Sequence, residues 1–67
     1  MSVKLIDMIR LMLWNNDIVK VFDENDNLLF AGSKEELMKK FQSNQILATR
    51  KIIEFFANDD YLVISVK

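Results

Sequence analysis

The stretch from Ile18 to Gly32, IVKVFDENDNLLFAG, limits what this chain can fold into more than any other part of it. Two runs rich in β-branched and aromatic residues flank a polar reversal, Glu24 to Asn27. Asn and Asp tolerate the left-handed backbone that such a reversal needs, so the pattern predicts a β-hairpin. A reversal of that length places Val19 and Val21 on one face with Leu28 and Phe30. Ile18, Lys20, Phe22, Leu29 and Ala31 fall on the other. Both faces of the ribbon are then partly apolar, and the remaining chain has to cover them.

The segment after the hairpin reads as a helix. Ser33-Lys34-Glu35-Glu36 is a capping box, in which the Ser33 hydroxyl takes the Glu36 backbone N–H and the Glu36 carboxylate reaches back. Glu35 and Glu36 early, with Lys39 and Lys40 late, suit the helix dipole; Leu37, Met38 and Phe41 form the buried stripe, and Ser43 and Asn44 close it. Ahead of the hairpin, Leu5, Ile6, Met8, Ile9, Met12 and Leu13 recur at helical spacing, which predicts a helix over Val3 to Trp14 with Ser2 as its N-cap and Asn15 to Asp17 as its stop. Leu11 and Trp14 lie off its main stripe. Either Trp14 folds back over the core edge, or the two are anchors for a partner.

The segment from Gln45 to Ala57 fits a helical stripe through Ile46, Ile53 and Phe56, and from Lys51 to Phe56 it also fits a strand. We take Arg50 to Phe56 as the strand, because Tyr61 to Val66, YLVISV, is the strongest strand in the chain and needs a neighbour, with Asn58, Asp59 and Asp60 as the reversal between them. In that register Ile53 and Phe55 share a face with Leu62, Ile64 and Val66, and Ile52, Glu54 and Phe56 share the other with Tyr61, Val63 and Ser65. The expected fold is α+β, in the order α-β-β-α-β-β: one small domain over residues 1–67, with a four-stranded antiparallel sheet of two hairpins and both helices on one face.

Composition narrows the chemistry. The chain has no Cys and no His, which excludes disulfides, thiol nucleophiles, imidazole bases and Cys/His zinc sites. Asp23, Asn25 and Asn27 stand at the first, third and fifth spacing of a calcium loop, but Leu28 occupies the position that requires Gly and Lys34 the one that requires a bidentate Glu. A hairpin turn accounts for them. Glu35 and Glu36 are neighbours on a solvated helix start, without the hydrophobic surroundings an acid catalyst needs. With no phosphate-cradling glycine loop either, the expectation is a non-catalytic protein without metal or cofactor.

Nine basic and ten acidic residues leave a net charge of −1, which gives no electrostatic footprint for nucleic acid over the whole chain. Lys34, Lys39, Lys40, Arg50 and Lys51 are the one basic concentration, and Lys39, Lys40, Arg50 and Lys51 are the residues of an alternative reading as a nucleic-acid-binding accessory protein. The amino-terminal apolar run is too short to span a bilayer and is broken by Asp7 and Arg10, so a cytoplasmic protein is expected.

In the runs KLIDMIRLM, IVKVFDENDNLLFAGSKEEL and KIIEFFANDDYLVISV the chain resembles small uncharacterised phage and prophage proteins of low-GC Gram-positive bacteria. These pair a short amino-terminal helix with a hairpin ending in a leucine, aromatic, any, glycine corner, matched here by Leu29, Phe30, Ala31 and Gly32, and they finish on an apolar strand. The resemblance implies a phage context in a bacterial host and a two-hairpin topology, supports the strand at Arg50 to Phe56, and carries no catalytic residue.

The expected function is then protein interaction. At 51% hydrophobic, a domain of 67 residues has more apolar surface than one core can hide. The sheet face turned from the helices gathers Ile18, Phe22, Leu29, Ala31, Ile52, Phe56, Tyr61 and Val63 around Lys20, Glu54 and Ser65. Two helices cannot cover both sides of a sheet, so this face, with Leu11 and Trp14 as further candidates, is expected to bind a protein partner. A symmetric homodimer is the simplest closure.

Overall fold

Two β-hairpins lie side by side, and their inner strands are joined in parallel. In the computed structural model, which describes residues 3–11, 18–57 and 60–67, the elements are α1 (Leu5–Leu11), β1 (Ile18–Phe22), β2 (Leu28–Gly32), α2 (Lys34–Ser43), α3 (Gln45–Ala48), β3 (Ile52–Ala57) and β4 (Tyr61–Val66). The sheet order is β2-β1-β4-β3. β1 and β2 are antiparallel, as are β3 and β4, whereas β1 and β4 run parallel from Ile18↔Tyr61 to Phe22↔Ser65. The fold is α+β with a four-stranded mixed sheet, not the antiparallel sheet expected.

The parallel junction arises from the chain between the two central strands. A parallel pair needs a long crossover, and the chain from β2 through α2 and α3 to the second hairpin supplies one. The two strands brought to the middle are those with the cleanest apolar alternation: Val19 and Val21 on β1, and Leu62, Ile64 and Val66 on β4, all fully buried. They meet Leu5 and Ile9 of α1, Leu37 and Phe41 of α2, and Leu47 and Ala48 of α3 in one core. The buried side chains of all three helices thus join one face of the sheet. Among the described residues no helix is long and apolar enough to cross a membrane.

The first hairpin takes the expected register from Val19↔Gly32 to Val21↔Phe30, then a bulge sets Phe22 opposite Leu28. Its loop is organised by Asp23. One carboxylate oxygen accepts the N–H groups of Asn25 (2.8 Å) and Asn27 (2.9 Å), and the other accepts the Asn27 side-chain amide (3.1 Å). Asp26 supplies the left-handed residue at φ 63°. The bond from the Asn27 backbone N–H, followed by that from its side chain, holds the Asp23 carboxyl below its ordinary value. A depressed folded-state pKa stabilises the fold above the unfolded value of about 4, and that stability is lost as pH falls through the folded value. Asp23→Asn should therefore be less stable than wild type at neutral pH, with the difference closing under acid, as urea titrations at both pH values can check.

The start of α2 matches its expected cap: Ser33 Oγ accepts the Glu36 N–H at 3.1 Å and donates to Glu36 Oε1 at 3.2 Å. Ser33→Ala should cost about 1 kcal/mol of unfolding free energy. Gly32 supplies space here, since a Cβ would stand 3.0 Å from the tip of the Phe30 ring and 3.1 Å from Glu36 Oε2.

The other helices differ from expectation. α1 starts at Leu5 and not at Val3, because Val3 and Lys4 are held beside the second hairpin: Lys4 bridges Lys51, the Ile52 N–H donates to Val3 O (2.8 Å), and the Leu5 N–H donates to Arg50 O (2.8 Å). The expected cap at Ser2 and stop at Asn15 to Asp17 lie outside the described residues. The ambiguous segment resolves into both of its readings in turn. Asn44 Oδ1 accepts the Leu47 N–H (3.1 Å) and starts the short α3, and the strand then begins at Ile52, two residues later than expected. A second bulge, between Ile52 and Glu54, sets Ile52 opposite Val66.

Candidate interaction surface

Strand pairing across the sheet assembles the outer face in rows. Ala31, Lys20, Val63 and Phe56 are successive cross-strand partners from β2 to β3, and so are Leu28, Phe22, Ser65 and Glu54. A third row, at the start of the central strands, holds Ile18 and Tyr61. Side chains on one face of neighbouring strands stand about 5 Å apart, so these form a continuous surface. Phe56 is 59% exposed, Leu28 56% and Ile18 42%; Phe22, Tyr61 and Val63 are half-buried by their neighbours. Among the described residues no helix contributes a buried side chain to this face.

The few polar groups of the face are placed at its margins. Glu54 ends a row on an outer strand, and Ser65 lies beside it on β4. Lys20 starts from the middle of β1, but its Nζ lies 4.7 Å from the centre of the Tyr61 ring, a cation–π contact. The ammonium is thereby drawn to the row where the central strands begin, and the apolar stem covers the sheet behind it.

Of the residues expected on this surface, Ile18, Phe22, Phe56, Tyr61 and Val63 are brought together. Leu29 and Ile52 are not: both pack against the core. The reason is the same in each case. A β-bulge sets two residues against one and interrupts the inside-outside alternation, so Leu29 is turned inward and Leu28 takes the outer position, while Ile52 moves to the face of Val66. Leu11 is 77% exposed but belongs to α1, in the helical layer. Trp14 lies outside the described residues. The sequence reading missed Leu28, for which the adjacent Leu-Leu pair gives no signal; it also missed that Phe55, on the core side of β3, is exposed because it stands at the sheet margin.

The basic residues of the alternative reading are divided among elements. Lys39 and Lys40 are exposed on α2, and α3 separates that helix from Arg50. Arg50 is half-buried and acts electrostatically on Asp23. Lys51 is paired through its backbone with Lys4 and accepts the Lys67 N–H at 2.8 Å, so its basic neighbours are Lys4 and Lys67, which come from distant parts of the sequence.

On the helical side a groove of about 320 Å³ opens between the three helices, over Ile6, Met38, Phe41 and Ala48 and beside Arg10 and Gln42. No group of three or more acidic side chains placed to hold a metal occurs among the described residues. No protein-family model, curated protein or solved structure matches this chain.

Proposed function

We propose that this protein is a non-catalytic association module whose working surface is the outer face of the sheet. The observation that supports the reading is the continuity of the rows: Ala31 to Phe56 and Leu28 to Glu54 carry apolar side chains on all four strands, with Lys20, Ser65 and Glu54 as the polar minority. Scattered exposed apolar residues are ordinary, but a contiguous patch beyond a few hundred Å² on a soluble domain marks a binding surface. The absence of imidazole and thiol from the sequence supports a role without catalysis.

A test that does not depend on any particular partner is selection of binders from an unbiased peptide library against the wild-type protein, followed by rebinding to Phe56→Lys and to Ile46→Lys. Ile46 is a control, being exposed on α3. Peptides are expected to lose affinity for Phe56→Lys and keep it for Ile46→Lys; peptides indifferent to Phe56→Lys would remove the reading.

The nucleic-acid alternative draws on the convergence of Lys4, Lys51 and Lys67. Three lysines are few phosphate contacts, so little affinity for single-stranded DNA or RNA is expected even at low salt. Tight binding at low salt that falls steeply as salt rises would favour that alternative.

A further inference from the structure

We propose that the occupant of the outer sheet face is a second copy of this chain, stacked face to face about a two-fold axis that runs along the strands between the two sheets. This rests on the reading that the face is an association surface, and it names the partner and the geometry.

Area makes self-pairing sufficient. The molecule is nearly as wide as it is deep, 26 × 23 × 23 Å between Cα atoms, with 4786 Å² of accessible surface. One side of six is then on the order of 800 Å², the amount each partner contributes to a standard stable interface. A net charge of −1 opposes the approach of a second copy only weakly.

The rows decide the axis. Rotation about an axis along the strands lays β1 over the partner's β4 and β2 over its β3, and keeps each row opposite itself in reverse order. Ala31 then faces Phe56, and Ser65 faces Phe22, so each phenylalanine of the face meets a small side chain, twice by symmetry, while Tyr61 faces Ile18. Lys20 faces Val63, with its ammonium held over Tyr61 at the rim. Rotation about an axis across the strands, centred on the middle row, sets Phe56 on Phe56 and Ala31 on Ala31, which pairs large with large and small with small. Aligned packing of twisted sheets accommodates the first arrangement with a rotation of about 30° between strand directions. Joining two β3 edges, at the margin of the sheet among the described residues, would leave both outer faces bare.

The chain has no cysteine, so introduced thiols report without background. Leu28 and Glu54 end the same row on opposite sheet margins, and the along-strand axis brings Leu28 of one copy over Glu54 of the other. A mixture of Leu28→Cys and Glu54→Cys chains is treated with a bis-maleimide spanning about 10 Å, the separation of stacked sheets. The mixed product is expected to dominate over either like pair. Dominance of the Glu54→Cys like pair would overturn the proposal in favour of edge pairing. A dimer that yields no product, yet is dissociated by Phe56→Lys, would overturn the axis and leave the face as the association surface. A wild type that stays monomeric throughout the micromolar range would overturn the second copy as occupant, while the peptide selection judges the face independently.

Discussion

Ile64→Ala should remove most of the stability of this protein. Ile64 is fully buried in a central strand, paired with Val21 on one side and Phe55 on the other, and its side chain belongs to the single core shared by three helices. Truncating a buried Ile to Ala costs about 2–5 kcal/mol, the upper part of the range applying where the surroundings cannot collapse into the cavity. Pairing on both strand edges leaves the backbone at Ile64 little freedom to do so. At roughly 0.05–0.15 kcal/mol per residue a domain of this length has only about 3–10 kcal/mol in total. A fall in melting temperature of roughly 15–25 °C is therefore expected. Val63→Ala, one residue earlier and on the outer face, should change the stability of the dissociated chain by less than about 1 kcal/mol. Thermal melts of the two variants at low protein concentration compare them directly, and equal shifts would contradict the assignment of faces.

The alternation that separates Ile64 from Val63 shows what the sequence makes legible and where it stops. β4 has one apolar residue too many for a one-sided strand, but its neighbours resolve it: Leu62, Ile64 and Val66 keep strict period two and all are buried. The turn at Glu24 to Asn27 and the Ser33 cap are local devices, so their chemistry can be read from a few adjacent residues, and the register from Val19 to Val21 follows from loop length. The bulges are different. Each falls where two like residues adjoin, Leu28-Leu29 and Ile52-Ile53, so sliding the alternation by one position leaves the hydrophobic pattern unchanged and the sequence carries no mark of the slip. That degeneracy misplaced two residues of the candidate surface and hid a third.

Longer-range features were out of reach for another reason. Parallel pairing of β1 with β4 depends on how the crossover through α2 and α3 lies over the sheet, and nothing within either hairpin encodes it. α3 spans four residues, about one turn, which is less than the window over which helical periodicity can be told from a strand. The late start of the first helix has a similar origin, since Val3 to Leu5 are held by Arg50 to Ile52, a contact between distant parts of the chain.

The other large effect is expected at Phe56, and it leaves the fold intact. Phe56 is 59% exposed on an outer strand, so replacement by Lys removes no core contact and adds a charge to the bulk-solvent side of the monomer. In the stacked dimer the same side chain lies against Ala31 of the second copy, at a site where an aromatic anchor is worth about 2 kcal/mol or more. The symmetry of the pair counts that loss twice, so the dissociation constant should rise by about three orders of magnitude. The buried lysine adds a desolvation cost in the same direction. Far-ultraviolet circular dichroism and the urea midpoint of the dilute variant should match those of the wild type.

Sedimentation equilibrium of the wild type and of Phe56→Lys across the micromolar range is the measurement on which the outer-face account most directly rests. The expected result is a wild type that moves from monomer to dimer as concentration rises and a folded Phe56→Lys chain that stays monomeric over the same range. A Phe56→Lys chain that associates as tightly as the wild type, or that is unfolded when dilute, would contradict it.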